Sequence, residues 1–200
     1  MSGCSPTGEI GDPPDMLIGD GRDPDADLPE EIVWQGKFVT MKTRGRWEYA
    51  GRSRGIRAAA IIAIDDKDRV LLVSQYRVPL GAFCLEIPAG LIGDVEGHEG
   101  EGALEAAKRE LEEETGYRAG MMEVVGDFYS SPGMVSESFT LLRARDLERV
   151  GDGGGVEGED IRVHQVKLNS LPRYVAKWRE QGHAVDVRIA MLLMHDIMRR

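Results

Sequence analysis

Cysteine is nearly absent from this chain. Two residues in 200, Cys4 and Cys84, leave no room for a disulfide framework, and their separation matches no zinc-ligand spacing. Cys84 lies in an apolar run and reads as a small core residue, and a reducing cytoplasm is the expected compartment. Long hydrophobic runs are missing too. No stretch reaches the length of a membrane span, and no charged-then-apolar signal segment opens the chain, so no membrane partner is expected. Positive charge is in deficit, with 25 Lys and Arg against 35 Asp and Glu, a formal net charge of −10. The deficit is local. Residues 1–31 hold nine acids against one arginine, a net of −8, so the rest of the chain carries only −2. A basic surface of the kind that tracks a nucleic-acid backbone is therefore not expected.

What is present suits a single domain: 200 residues with 42% hydrophobic content. Residues 1–31 contain five of the nine prolines and few periodic apolar positions, and read as a disordered acidic arm. From residue 32 to 55 apolar and polar residues alternate around a turn near Arg44-Gly45, the pattern of a small antiparallel β unit. It carries Phe38 and Trp47, which could stack on a base or be buried as strand aromatics, and is followed by Arg52, Arg54 and Arg57, which suit bidentate phosphate contacts. Residues 56–200 form the main domain.

Within it, IRAAAIIAI and RVLLVSQYR are apolar on both faces and read as strands covered on both sides, joined by the turn Asp65-Asp66-Lys67-Asp68. AFCLEIPAGLI reads as one further strand running into Pro88-Ala89-Gly90, a turn able to aim backbone groups at a ligand. MMEVVGDFYSSPGM gives a strand and a tight turn. SFTLLRARDL and EDIRVHQVKL are strands, with a flexible loop at 151–158 between them. Two helices close the chain. Asn169 or Ser170 caps the first, with Pro172 in its opening turn; Asp186 caps the second, whose Ile189, Leu192, Leu193 and Ile197 face the body. Strands before and after a central helix, with more helix at the end, fit an α/β/α arrangement on a mixed sheet.

The central helix lies in the stretch from Gly100 to Tyr117. Leu104, Ala107 and Leu111 make its apolar stripe, and Gly116 stands where a left-handed residue ends a helix. Glu110, Glu112, Glu113 and Glu114 crowd its last turn, next to carbonyls that already carry partial negative charge. Glu110, Glu113 and Glu114 share one arc while Glu112 points elsewhere. An acid run is most often a solvated helix face. Three carboxylates on one arc are also a set of hard oxygen donors, of the kind Mg²⁺ or Mn²⁺ takes.

The order of these residues goes further. Glu101, then seven residues, then Arg109-Glu110-Leu111, Glu113-Glu114, Gly116 and Tyr117 resembles the signature box of the Nudix hydrolases, which cleave nucleoside diphosphates linked to another group. The opening glycine is best matched by Gly90, eleven residues before Glu101 rather than six, so the loop before the helix carries about five extra residues. QYRVPLGAFCLEIPAGLI, FYSSPG, EDIRVH and AVDVRIA extend the resemblance over roughly residues 36–195, to the ADP-ribose pyrophosphatase branch. Pro132, fifteen residues past the box, matches that branch's substrate marker.

The resemblance implies an α/β fold, a Nudix-type α/β/α sandwich with a small N-terminal antiparallel β unit. It implies Mg²⁺-dependent hydrolysis of ADP-ribose to AMP and ribose 5-phosphate, with Mn²⁺ an alternative ion. Glu110, Glu113, Glu114 and the carbonyl of Ala89 are the implied metal ligands. Arg109, Glu113 and Glu114 belong to the catalytic set, and Glu157 is the implied general base, with Glu159 second. Phe38 and Trp47 match adenine-sandwiching positions, Arg52 and Arg77 phosphate-binding arginines, Glu137 a site-lining acid, and Leu91 a further substrate contact. A homodimer is implied, with the N-terminal β units packed across the two-fold. Two alternatives share the pattern: hydrolysis of another nucleoside diphosphate sugar such as GDP-mannose, and a Nudix module that binds ADP-ribose without cutting it.

Overall fold

The computed structural model describes residues 22–53, 57–92, 102–156 and 158–197, with side chains to residue 194. Alternation sets up the first sheet. Strands β1 (Glu31–Gln35), β2 (Val39–Arg44) and β3 (Trp47–Arg52) form an antiparallel meander, in which Gly45 turns the chain between β2 and β3 with φ +56°. The acidic segment just before it is docked from residue 22 onward. Asp23 accepts from Arg46 and from the Trp47 indole N–H at 3.1 Å, and Glu30 pairs with Lys42 at 2.8 Å and with the Tyr49 hydroxyl. Residues 1–21, where most of the expected arm lies, are outside the described residues.

The doubly apolar strands become the middle layer. Strand β4 (Arg57–Ala63) turns Ala59, Ile61 and Ala63 to one face and Ala60 to the other, all four with no solvent exposure. Strand β5 (Arg69–Arg77) divides likewise, with Leu71 on one side and Val70 and Leu72 on the other. Between them Asp65 accepts the backbone N–H of Lys67 and of Arg69 at 2.9 Å each, which closes the polar turn.

The stretch expected as one strand, 82–92, is two. Pro88 has no N–H to give a ladder. Strand β6 (Ala82–Glu86) stays with β5, while strand β7 (Ala89–Ile92) crosses to β4, and the Pro88 carbonyl accepts from the Ile61 N–H at 2.8 Å. Strands β8 (Tyr117–Tyr129), β9 (Ser138–Arg149), β10 (Arg162–Lys167) and the short β11 (Ala184–Val185) complete two four-stranded sheets, ordered β7-β4-β9-β8 and β10-β5-β6-β11. Each is mixed, because β4 runs parallel to β9 and β11 parallel to β6. The middle layer is thus two mixed sheets rather than one, split where Pro88 interrupts the chain.

Helix α1 (Ala103–Thr115) covers one side, burying Ala106, Ala107 and Leu111 against Ile61, Leu142 and Tyr117. Helices α2 (Leu171–Glu180) and α3 (Ile189–Ile197) cover the other, where Leu171, Val175 and Ile189 meet Leu72, Leu85 and Leu141. This is the expected α/β/α layering. Asp186 caps α3 as expected, its Oδ1 accepting from the Arg188 N–H at 2.8 Å. Ser170 does not cap α2 with its side chain; its hydroxyl donates to Asn169 at 3.0 Å, and the short 3₁₀ turn at Leu168–Ser170 leads into the helix instead. Among the described residues no helix is long and apolar enough to cross a membrane.

Candidate active site

The last turn of α1 is where the acids gather, and the fold treats each differently. Glu112 points to solvent and pairs with Arg118 at 2.9 Å, as the helical arc requires. Glu113 is partly exposed and accepts from Arg109 Nη1 at 3.1 Å; the same Nη1 donates to Glu110 Oε1 at 2.9 Å. Glu114 is buried, 6% exposed, and its Oε2 accepts the backbone N–H of Ala89 at 3.0 Å. Burial raises its carboxyl, the Ala89 N–H lowers it in part, and the negative charges of Glu110, Glu159 and Glu86 raise it again, to about 8 in all.

Helix and strand approach closely at this point because Gly90 lacks a side chain. A Cβ built there would fall 1.9 Å from the Glu110 carboxyl carbon. Gly116 ends the helix in the left-handed region at φ +73°, its N–H bonded to the Glu112 carbonyl at 2.9 Å. The loop after β9 then closes over the helix end. Gly154 donates its N–H to the Glu114 carbonyl at 2.9 Å and Gly155 to the Glu113 carbonyl at 3.0 Å. Carbonyls that would otherwise add to the negative charge of the patch are thereby satisfied. Gly153, Gly154 and Gly155 all have positive φ, from +68° to +109°, so this loop's composition serves a close backbone approach.

A cavity of about 510 Å³ opens between these elements. Ala89, Gly90 and Leu91 of β7 line it together with Glu110 and Glu114 of α1. Arg52 of β3, Arg77 of β5, Glu137 and Glu159 reach it from the other sides. Eight of the candidate site residues named from sequence therefore meet in one hollow: Arg52, Arg77, Ala89, Leu91, Glu110, Glu114, Glu137 and the second-choice base Glu159. Arg52 pairs with Glu137, and Arg77 with Glu86.

Others are not brought there. Arg109 and Glu113 stand beside the cavity, paired with each other. Trp47 lines a separate hollow of about 310 Å³ with Tyr49, Pro132 and Val135. Phe38 is 63% exposed, with the Lys37 ammonium 5.0 Å from its ring centre. Glu157, the expected base, and Arg54 and Glu101 lie outside the described residues. Glu159, the second choice, lines the cavity, and its carboxylate accepts from the Val156 N–H at 3.1 Å.

Sequence reading missed Glu86 and Arg188 and gave Asp186 only as a helix cap; Asp186 and Arg188 line the cavity, and Glu86 is bonded to Arg77 and Arg188 of its lining. Glu86 is 3% exposed and takes Arg77 on both oxygens, at 2.6 and 2.7 Å, and Arg188 at 3.3 Å. A signal existed: Glu86 is the lone charge in the apolar run AFCLEIPAG, and a buried carboxylate demands cationic partners.

Carboxylates of Glu110 and Glu114 beside the backbone of Ala89 are the hard oxygen donors that Mg²⁺ or Mn²⁺ takes. Among the described residues no three His, Cys, Asp or Glu side chains converge as a cage, since Glu110 and Glu113 are turned to Arg109. The donor chemistry and the burial of an acid among acids fit a divalent cation. Arg52 and Arg77 line the same hollow, each paired with a carboxylate, Glu137 and Glu86, and a guanidinium in such a place is a donor set for phosphate oxygens.

Comparison with known proteins identifies the family. The NUDIX domain family matches residues 54–184. The chain is 34% identical over 139 residues to the ADP-ribose pyrophosphatase of Bacillus subtilis, covering 69% of this chain and 70% of that one. It is 33% identical over 150 residues to the GDP-mannose pyrophosphatase of Cronobacter sakazakii, covering 71% and 73% respectively. A crystal structure described as an ADP compounds hydrolase superposes with a TM-score of 0.64 over 86% of this chain and 92% of its own, at 23% identity.

Proposed function

The chain belongs to the Nudix hydrolase family, and from that premise we propose that it hydrolyses the diphosphate of ADP-ribose to AMP and ribose 5-phosphate with the help of Mg²⁺ or Mn²⁺. The observation that carries this reading is the buried Glu114 beside Glu110 on one wall of a hollow whose other walls hold Arg52 and Arg77. A diphosphate spans such a hollow with its charge met on both sides.

Glu110, Glu114, the Ala89 carbonyl and Glu113, once it is released from Arg109, are the groups that would hold the ion. A divalent cation, when bound, neutralises phosphoryl charge and makes water a better nucleophile. The chain's own residues do the rest. Arg52 and Arg77 bind and orient phosphate oxygens. A carboxylate of the segment 157–159 takes the proton of the attacking water. Glu157 is the position that matches the family's base, and Glu159 is the acid that lines the cavity; Glu157→Gln and Glu159→Gln separate them, because only loss of the base abolishes turnover while leaving substrate binding intact. Leu91 and Glu137 shape the hollow around the substrate.

A homodimer is part of this proposal. The N-terminal sheet and the turn after β1 leave Ile32, Val33, Trp34, Phe38 and Met41 exposed, and β8 exposes Val124, Val125 and Tyr129, apolar side chains that a second copy would cover. Phe38 and Trp47 would then sandwich the adenine from across the two-fold. The compartment expected for such an enzyme is the cytoplasm.

The test is a substrate panel with Mg²⁺. ADP-ribose should give AMP and ribose 5-phosphate, turnover should vanish with chelator, and Glu114→Gln should bind without cutting. The Cronobacter relative favours one second reading, GDP-mannose as the preferred substrate. A large preference for GDP-mannose at equal concentration would establish it, and binding of ADP-ribose with no turnover by the wild type would leave a binding module.

A further inference from the structure

Beside the acidic patch, the cavity wall carries a chain of four charges, Asp186, Arg188, Glu86 and Arg77. Glu86 lies opposite Val73 in the β5–β6 ladder, on the sheet face that also carries Gln75 and Arg77. Its Oε1 accepts Arg77 Nε at 2.6 Å and its Oε2 accepts Arg77 Nη2 at 2.7 Å, a two-point grip on one edge of the guanidinium. Oε2 also accepts Arg188 Nη2 at 3.3 Å, and Arg188 is itself held by Asp186 through Nε at 2.7 Å and Nη2 at 3.1 Å. Arg77 and Arg188 both line the cavity, while the Glu86 side chain is 4% exposed behind them.

A free arginine carries several rotatable bonds and sweeps a wide volume. The grip on Nε and Nη2 removes that freedom and leaves Nη1 as the guanidinium nitrogen not taken by Glu86. We infer that Glu86 is a positioning residue for substrate: it fixes Arg77 so that the free guanidinium edge meets a phosphate oxygen in the hollow that Glu110 and Glu114 also line, with Arg188, itself held by Asp186, as the second cation on Glu86. This rests on the reading of the cavity as the diphosphate site. Glu86 touches neither the reacting atoms nor the cation; it acts through Arg77.

The experiment is steady-state kinetics of ADP-ribose hydrolysis with Arg77→Ala, Glu86→Gln and the double variant, with thermal melting to confirm folding. An amide at position 86 presents an NH₂ to an arginine N–H, so the grip is lost while volume is kept. Glu86→Gln should raise KM about tenfold and change kcat less than about twofold, the signature of lost ground-state binding. The double variant should have the KM of Arg77→Ala, because a residue acting only through Arg77 has nothing left to position. An unchanged KM in Glu86→Gln, or a KM in the double variant well above that of Arg77→Ala, overturns the inference. If Glu86→Gln does not fold, Arg77→Lys decides. Lysine keeps the charge and cannot be held at two points, so its KM should match that of Arg77→Ala, and a wild-type KM overturns the inference. Absence of turnover by the wild type defeats the functional reading itself, a result distinct from any of these.

Discussion

Metal-free protein should lose stability as the pH rises, and Glu114 should be the reason. In the unfolded chain its carboxyl titrates near 4.5; in the folded, metal-free chain burial and neighbouring acids raise it to about 8. Between those values the folded state holds a proton that the unfolded state has released. The slope of unfolding free energy with pH is then negative, so the contribution is complete below about 4.5 and is lost progressively as pH climbs through 8. A shift of this size corresponds to about 5 kcal/mol at most, at ~1.36 kcal/mol per unit. Since the group is 6% exposed, solvent screens little of it. The assay is thermal melting in chelator at pH 5, 7 and 9 for wild type and Glu114→Gln. Glutamine keeps an acceptor for the Ala89 N–H but cannot ionise. From pH 5 to 9 about 3 of those units are lost, so the wild type should fall relative to the variant by up to roughly 8–16 °C, at ~2–4 °C per kcal/mol for a chain of this size. Saturating Mg²⁺ at pH 9 should restore the wild type and leave the variant unmoved. Parallel pH curves for the two proteins would refute the reasoning.

Three further outcomes follow from the same geometry. Gly90→Ala places a methyl where the Glu110 carboxyl now lies, 1.9 Å away, so activity should drop at least about tenfold while the melting temperature changes far less. Gly153→Ala demands φ +68° of an alanine and sets its Cβ 2.4 Å from the Thr115 carbonyl carbon; urea unfolding should show a loss of ~1–3 kcal/mol and the loop's grip on the helix end should fail. Glu112→Gln, by contrast, removes only an exposed pair with Arg118 and should cost less than about 1 kcal/mol with kcat and KM unchanged.

Much of the site was legible because local rules govern it. The 3.6-residue period alone separates Glu112 from Glu110, Glu113 and Glu114, and the fold keeps that separation: one acid in solvent, one buried, two paired with Arg109. Gly116 is read correctly as a left-handed helix end because only the backbone decides it. Tertiary decisions were less legible. The apolar stretch 82–92 looks like one strand, since hydrophobicity does not say which sheet a strand joins; Pro88 is the sole local hint of the break. Three glycines at 153–155 look like a hinge by composition, yet their use is close contact with Glu113, Glu114 and Thr115, residues almost forty positions earlier. Glu86 is flagged only by its charge in an apolar run; which cations it meets was not legible, since Arg77 depends on the pairing of β5 with β6 and Arg188 comes from a segment far along the chain. Phe38 and Trp47 lie apart from the main cavity in a single chain, so their expected partnership around a base requires a second copy.

A divalent cation is the proposed counter-charge of the Glu110 and Glu114 patch. Calorimetric titration of Mg²⁺ into metal-free protein at pH 7, repeated in two buffers of different ionisation enthalpy, tests this directly. Saturable binding should release close to one proton, the one burial holds on Glu114, and both binding and release should be lost in Glu110→Gln and Glu114→Gln. Undiminished binding by Glu114→Gln, or wild-type protein that takes up no Mg²⁺, would contradict it.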